Sequence, residues 1–361
     1  MSQLYALIMA GGAGTRLWPL SRKNRPKPLL RLIEAERSMF QMSVERLYPI
    51  FTPDRILVVA NAELTEELRE QAPDLPAENF ITEPMGRDTA PAVGLGAIHI
   101  RQHDPNAVMA VLTADHHISD TIMFGRVLAA SGKVAEADNN IVTLGITPTF
   151  PATGFGYIER GVCLETIEGI DIYTLERFVE KPDHETAENY IKSGSYSWNS
   201  GMFIWPVERV LAEFEQHRPD IYERLAQIAA SIGTADYGSR LVELWSDMPK
   251  VSVDYALMEH IHEGVRVIPV EMGWSDIGNF EALYDILSSE QGSNVAVGPT
   301  PLLIDTNGTI IYSKRLVAAI GVEDLVIVDT DDVLLVSRRD RAQEIKQLVQ
   351  RLEESEQNSY L

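Results

Sequence analysis

A glycine-rich turn, Gly11-Gly12-Ala13-Gly14-Thr15-Arg16, follows the apolar run Leu4–Ala10 and is followed in turn by Arg22, Arg25 and Lys27. Glycines let backbone N–H groups approach phosphate oxygens closely, and Thr15 and Arg16 add donors. The turn is not a P-loop, since no Gly-Lys-Ser/Thr follows, and Leu17 stands where the dinucleotide fingerprint needs a third glycine. Taken alone, the glycines read more readily as a tight strand-to-helix turn than as a ligand site. The cations Arg16, Arg22, Arg25 and Lys27 shift that balance. In a chain with 53 acidic and 31 basic side chains, such a cluster makes sense as neutralising a triphosphate and its departing pyrophosphate. The alternative is a solvated basic loop.

Two aspartates have the chemistry to complement those cations. Val108-Met109-Ala110-Val111-Leu112 runs into Thr113-Ala114-Asp115-His116-His117, which puts Asp115 at the carboxyl end of a buried strand. Asp276 lies in Gly273-Trp274-Ser275-Asp276-Ile277-Gly278-Asn279, a turn between an extended run and a helix. Each aspartate by itself is evenly divided between a metal ligand and a helix cap or structural carboxylate. The neighbouring His116 and His117 lack the spacing of a closed zinc site. The single cysteine, Cys163, excludes an internal disulfide framework and a cysteine cluster for zinc.

The run Gly11 to Arg22, with Trp18-Pro19-Leu20-Ser21-Arg22 and then Arg25-Pro26-Lys27-Pro28, resembles the signature of sugar-nucleotide pyrophosphorylases. The Trp-Pro-Leu-Ser-Arg variant is most similar to the mannose-1-phosphate guanylyltransferase branch. Pro28 departs from it, because that branch often has Gln there, and matches the broader uridylyl- and thymidylyltransferase pattern. Asp115 and Asp276 resemble the family's two Mg²⁺-binding aspartates. The resemblance implies that Ala10, Gly11, Gly12, Gly14, Thr15, Asp88, Thr89 and Asp115 bind nucleotide, with Arg16 and Lys27 stabilising charge on the phosphates. Phe178-Val179-Glu180-Lys181-Pro182, Trp198-Asn199-Ser200-Gly201-Met202-Phe203 and Gly154-Phe155-Gly156-Tyr157 match further family motifs. They imply that Lys181 meets the sugar phosphate, that Glu180 and Asn199 bond sugar hydroxyls, and that Gly156 lets the backbone approach the sugar. Asp254 is a further candidate for a sugar hydroxyl, or only a helix cap. Asp88 stands where the family usually has Asn; its carboxylate either accepts from guanine N1–H and N2–H₂ or caps the helix that follows.

What the resemblance implies as chemistry is transfer of GMP from GTP to α-D-mannose 1-phosphate, giving GDP-mannose and pyrophosphate with Mg²⁺. The attacking phosphate oxygen is already anionic, so positioning and charge neutralisation carry the reaction without a general base. The alternatives are a uridylyl- or thymidylyltransferase acting on another sugar 1-phosphate, and a non-catalytic subunit that senses nucleotide sugars. Some relatives carry a cupin-type isomerase domain behind this module, and the length of the chain leads us to expect no isomerase activity.

The elements that must position these residues follow from hydrophobic period. Strands are expected at Leu4–Ala10, 55–60, 79–83, 108–114 and 141–145, alternating with helices at 38–50, 62–72, Thr89–His103 and 123–137; Asn61 is a candidate N-cap. Such βαβ order places ligands in loops beyond the carboxyl ends of strands. Between 153 and 272, extended runs at 156–160, 173–180, 201–205 and 265–271 mix with amphipathic helices at 206–217 and 221–232 and a short helix at 253–261. After 289, short runs at 301–305, 309–312, 316–320, Leu325–Asp329 and 333–337 read as a small β-domain closed by a helix at 341–354. The fold expected is therefore α/β, a Rossmann-like nucleotidyltransferase (GT-A-like) mixed sheet flanked by helices over 1–288. A small C-terminal β-domain over 289–361 follows, which in relatives is a short left-handed β-helix.

The net charge of −22 repels nucleic-acid backbone and anionic lipid, so no nucleic-acid partner is expected. No window approaches the roughly 20 apolar residues of a membrane span, and no basic leader precedes an apolar run. The expectation is a cytoplasmic protein without membrane partners, binding GTP and mannose 1-phosphate, with a homodimer as an assembly to test.

Overall fold

The computed structural model describes residues 3–12, 14–290 and 292–361, so Ala13 of the glycine turn lies outside the described residues. The chain divides into two interleaved compact units. The first runs through Ala10, Val44–Ala114 and Ile118–Trp274; the second takes Gly11–Ser43, Asp115–His117 and Ser275–Leu361.

The first unit is built on one nine-stranded sheet. Its strands are β1 (Leu4–Ala10), β2 (Ile56–Asn61), β3 (Phe80–Glu83), β4 (Val108–Thr113), β5 (Ile141–Ile146), β6 (Tyr157–Ile167), β7 (Ile170–Val179), β8 (Tyr196–Pro206) and β9 (Val265–Val270). The spatial order is β3-β2-β1-β4-β8-β5-β9-β7-β6. β1 lies between two parallel partners, with Leu7 opposite Leu57 on one side and Val111 on the other. A strand paired and covered this way must be apolar on both faces, hence the unbroken run in β1. β8 then pairs antiparallel with both β4 and β5, which makes the sheet mixed.

Helices pack on this sheet through small residues. The helix Thr89–His103 lies so close to β1 that a Cβ on its Gly96 would stand 2.2 Å from Leu7 Cδ2. Phe203, Trp205, Phe214 and Trp245 fill the core beneath the helices Val207–His217, Pro219–Ala229 and Tyr237–Ser246.

The expected elements of the first half recur within a few residues at their ends, except that the helix expected at 38–50 spans only Met39–Glu45 and gives way to turns. Further on, the structure adds what hydrophobic period did not announce. The runs at 156–160 and 173–180 belong to one long antiparallel hairpin, β6–β7. It turns at Glu168 and Gly169, whose φ values of 52° and 82° suit a two-residue hairpin turn that follows the strand twist. Helices His184–Ser193 and Tyr237–Ser246 were also not expected, although Asp183 caps the first and Gly194 ends it in the left-handed region. The short helix expected at 253–261 is a π-helical turn, Asp254–Met258.

The second unit gathers Leu17, Trp18, Leu30 and Leu32 with Phe280, Ile310, Val326, Val328 and Ile345 in one core. Around it lie short strands β10 (Val295–Val297), β11 (Leu302–Ile304), β12 (Ile310–Tyr312), β13 (Ala318–Ile320), β14 (Leu325–Asp329) and β15 (Leu334–Arg338). β10, β12 and β14 stack in parallel, β15 returns antiparallel, and β11 pairs with β13. The terminal α-helix is Ile345–Glu354, with its expected first turn taken up by a 3₁₀ segment, Arg339–Glu344. Among the described residues no helix is long and apolar enough to cross a membrane.

Candidate active site

The chain leaves β1 at Ala10 and enters the second unit through the glycine turn. Gly12 has φ 105° and Gly14 φ 60°, conformations that side chains disfavour, and a Cβ on Gly14 would stand 2.8 Å from Lys27 Cβ. Gly11 and Gly12 are exposed and crowd nothing, which leaves their surface open to a ligand. Gly14 anchors the turn: its carbonyl accepts from Leu17 N at 2.8 Å and from Ser21 Oγ at 2.6 Å.

Lys27 sits in the short 3₁₀ turn Lys27–Leu29 and is only 5% exposed. Its Nζ donates to Asp115 Oδ2 at 3.0 Å and to the carbonyl of Asp276. One ammonium therefore ties together the two aspartate segments that sequence reasoning singled out. Burial alone would raise the Asp115 carboxyl. Lys27, His116 and the Lys27 hydrogen bond outweigh it and hold that carboxyl below the usual range. The Asp276 carboxyl is raised, chiefly by burial; Lys27 opposes this and the charge of Asp115 adds to it.

The Asp276 turn carries strain. Ile277 has φ 43°, an outlier for a β-branched residue, and its fully buried side chain packs with Leu17 and Phe280. Core packing holds this backbone, and so aims the preceding aspartate. The capping role weighed for Asp276 belongs to Asn279, whose Oδ1 accepts from Ala282 N at 2.9 Å. Asp276 Oδ1 instead accepts from Gly278 N at 3.1 Å. A Cβ on Gly278 would stand 2.9 Å from Asp276 Oδ2 and 3.4 Å from Arg16 Nη1, so glycine keeps the space beside both groups clear. Neither Ile277 nor Gly278 was singled out from sequence; the Ser-Asp-Ile-Gly spacing was the available signal.

Among the described residues no group of three or more His, Cys, Asp or Glu side chains gathers as a metal site. The donor set is two carboxylates, one raised by burial beside the other, with Lys27 bonded to the Asp115 carboxylate and to the backbone of Asp276. Oxygen donors with an excess of negative charge suit a hard divalent cation that keeps waters and takes phosphate oxygens to complete its shell.

In the first unit, all five of the sugar-site candidates come together. Asn199 N donates to Gly156 O at 2.8 Å, Asn199 Nδ2 to Asp254 Oδ1 at 2.8 Å, and Gly201 N to Asn199 Oδ1 at 3.0 Å. A Cβ on Gly156 would stand 2.4 Å from Glu180 Oε2, so a side chain there would displace that carboxylate. Lys181 Nζ donates to Glu180 Oε1 at 2.5 Å; Lys181 is half exposed and its φ of 46° is unusual for a side-chain-bearing residue. Burial would lower the Lys181 ammonium, but its bond to Glu180 outweighs this and raises it. Asp254 does not cap a helix through its side chain. It opens a π-helical turn, a feature that recurs at functional sites, and burial together with Glu180 raises its carboxyl to about 6.

Asp88 does cap the helix Thr89–His103, its Oδ1 accepting from Thr89 N at 2.8 Å. It does so at φ 67° and ψ −173°, a region essentially reserved for glycine, and it is exposed. The run that carries it is pinned: Trp245 Nε1 donates to Met85 O at 2.8 Å and Val253 N to Thr89 Oγ1 at 2.8 Å. Ala10, buried at the end of β1, pairs with Ala60 of β2.

Glu83, at the start of the same run, was passed over by sequence reasoning. It is 8% exposed, its Oε1 has no partner among the described residues, and burial plus the charge of Asp88 raise its carboxyl to about 7. A raised carboxyl favours the neutral form, so its contribution to stability is present below pH 4.5 and lost as pH rises through about 7. Glu83→Gln is therefore expected to match the parent in thermal unfolding near pH 5 and to exceed it by about 3 kcal/mol at pH 8. Equal stability of the two proteins at pH 8 would contradict the burial of an ionised Glu83.

A glycine turn, the cations Arg16 and Lys27, and two aspartate segments joined through Lys27 suit a nucleotide-processing enzyme, and comparison with known proteins agrees. The chain belongs to the nucleotidyl transferase family, whose model matches residues 5–292; a model described as MannoseP isomerase/GMP-like beta-helix domain matches residues 301–352. Within that family it is 40% identical to a mannose-1-phosphate guanylyltransferase of Klebsiella pneumoniae, over 99% of this chain and 75% of that protein. It is also 40% identical to mannose-1-phosphate guanylyltransferase RfbM of Salmonella typhimurium, over 98% of this chain and 73% of that one. A crystal structure described as mannose-1-phosphate geranyltransferase from Thermus thermophilus superposes with a TM-score of 0.86 at 35% identity, covering 97% of this chain and 99% of that one.

Proposed function

We propose that this chain transfers GMP from GTP to α-D-mannose 1-phosphate, releasing pyrophosphate and forming GDP-mannose. The observation that carries the reading is Lys27, bonded at once to Asp115 and to the Asp276 backbone with Arg16 close to Asp276, in a nucleotidyl transferase whose relatives bear that activity in their names. The bond that forms joins a phosphate oxygen of mannose 1-phosphate to the α-phosphorus of GTP. The bond that breaks is the one to the bridging oxygen of the β-phosphate, which leaves with the pyrophosphate.

Each residue then has a defined task. Backbone N–H groups of Gly11, Gly12 and Gly14, with Thr15, bind the triphosphate, and Arg16 and Lys27 neutralise its growing negative charge. Asp115 and Asp276 hold Mg²⁺, which when bound supplies charge compensation on the phosphates. Ala10, Asp88 and Thr89 border the nucleoside, with Asp88 serving both as cap and as acceptor for guanine N–H groups. Lys181 takes the sugar phosphate, Glu180, Asn199 and Asp254 accept from or donate to mannose hydroxyls, and Gly156 gives them room. The incoming phosphate is already an anion, so no side chain need remove a proton.

The assignment of residues 1–288 to catalysis and 289–361 to a small appended domain draws support from the two family models. A homodimer is the proposed assembly, favoured by the exposed Leu302, Ile304 and Ile320 on β11 and β13. Both substrates are charged intracellular metabolites, in keeping with a cytoplasmic location.

The test is Mg²⁺-dependent pyrophosphate release with GTP, UTP, dTTP, ATP and CTP, each paired with mannose and glucose 1-phosphates. GTP with mannose 1-phosphate is expected to give the highest kcat/KM. A preference for UTP or dTTP would remove the guanylyl assignment, and no release with any pair would remove the enzyme.

A further inference from the structure

The second half of the glycine segment, Trp18 to Arg22, spends its polar atoms on the protein itself. Trp18 Nε1 donates to the carbonyl of Tyr360 at 2.7 Å, and Arg22 Nη1 donates to the same carbonyl at 2.5 Å. Arg22 Nη2 binds Asp332 Oδ1 at 2.7 Å, and its Nε donates to Pro19 O at 2.9 Å. The guanidinium lies 5.8 Å above the Trp18 ring. Arg22 also exchanges backbone bonds with Arg25, and the adjacent Ser21 holds Gly14 O. One carbonyl in the turn Asn358–Tyr360 thus receives two donors from a loop near the other end of the sequence, and the chain of bonds continues to Gly14.

We infer that Trp18 and Arg22 are positioning residues that latch the glycine loop to the Asn358–Tyr360 turn and to Asp332, and that this latch sets affinity for the nucleoside triphosphate. The inference rests on the reading that the loop binds that triphosphate. Gly11 and Gly12 have no side chains to order them and crowd nothing, so the loop's shape must be imposed from its flanks. β1 fixes the flank at Ala10, and Gly14 fixes the other, crowded by Lys27 and held at its carbonyl by Ser21 Oγ next to the latch. Ordering the loop before the ligand arrives lowers the entropy lost on binding.

The experiment compares Trp18→Phe, Arg22→Met and their combination with the parent. Each bond to the carbonyl is modest, and the charged one is stronger. Each single variant is expected to raise the KM for GTP about tenfold and to leave the KM for mannose 1-phosphate within about twofold. The combination should fall short of the product of the single effects, because both donors end on one carbonyl. Backbone hydrogen exchange at residues 14–17, measured without substrate, should quicken in both variants.

A rise in the GTP KM for Arg22→Met but not for Trp18→Phe would overturn the latch and make Arg22 a direct phosphate ligand. Unchanged exchange at 14–17 would overturn it as well, as would equal increases in both KM values. If the parent transfers no nucleotide at all, the functional reading fails on that result, while the exchange rates still decide the latch.

Discussion

Asp276→Asn is expected to lower turnover at least a hundredfold, with the protein still folded. Asparagine keeps the shape of the side chain, and its carbonyl can still accept from Gly278 N as Asp276 Oδ1 does. What it removes is a negative charge that burial and the neighbouring Asp115 already make costly. A fold tolerates such a charge when a cation compensates it, and here Lys27 meets the backbone carbonyl of residue 276 rather than its carboxylate. Electrostatic stabilisation of developing charge contributes about 3–4 kcal/mol per well-placed group, hence the size of the expected loss. Pyrophosphate release titrated against Mg²⁺ should show both a lower plateau and a higher metal requirement. Full activity at the parent's Mg²⁺ concentration would take Asp276 out of the metal site.

Lys27→Met should be comparably severe, for a different reason. The methionine fills much of the same volume in a position only 5% exposed, but leaves Asp115 Oδ2 and the Asp276 carbonyl without their shared donor. Removing one partner of a buried pair costs about 3–5 kcal/mol because the other charge stays behind uncompensated. Two measurements should therefore move together. kcat/KM for GTP should fall at least a hundredfold, and the thermal midpoint should drop in metal-free buffer. Added Mg²⁺ should restore part of the midpoint, since a divalent cation can replace the lost positive charge, but not the activity. A variant of unchanged stability and near-normal kcat/KM would show that Lys27 is neither keystone nor phosphate ligand.

Much of this arrangement was legible because its elements are local. β1, β2 and β4 are largely apolar runs, and the helix Ala62–Gln71 begins at an asparagine whose side chain accepts from Leu64 N. The Asp115 and Asp276 motifs were readable as residue types in order. What sequence order conceals is contact at long range. Gly11–Ser43 packs with Ser275–Leu361 because Leu17, Trp18, Leu30 and Leu32 need apolar partners, and Phe280, Ile310 and Val328 provide them.

Arg22 illustrates the consequence. By composition it joined the phosphate-facing cations, yet its guanidinium is committed to Tyr360, Asp332 and Pro19. Asp254 had been weighed as a cap, and the structure gives its carboxylate to Asn199 instead. Asp88 satisfies the cap reading while holding a backbone conformation that capping does not require, since Asp183 caps the helix His184–Ser193 at φ −69°. Glu83 opens the same run as Asp88 and drew no role of its own, because residue type does not reveal that its carboxylate is buried.

Attack of mannose 1-phosphate on the α-phosphorus of GTP fixes where each phosphorus atom must end. Incubating the protein with mannose 1-phosphate, Mg²⁺ and GTP labelled with ³²P at either the α or the γ position, then separating the products, follows both. The α label is expected in GDP-mannose and the γ label in pyrophosphate. The γ label in a sugar phosphate, or both labels remaining in GTP, would rule this reaction out.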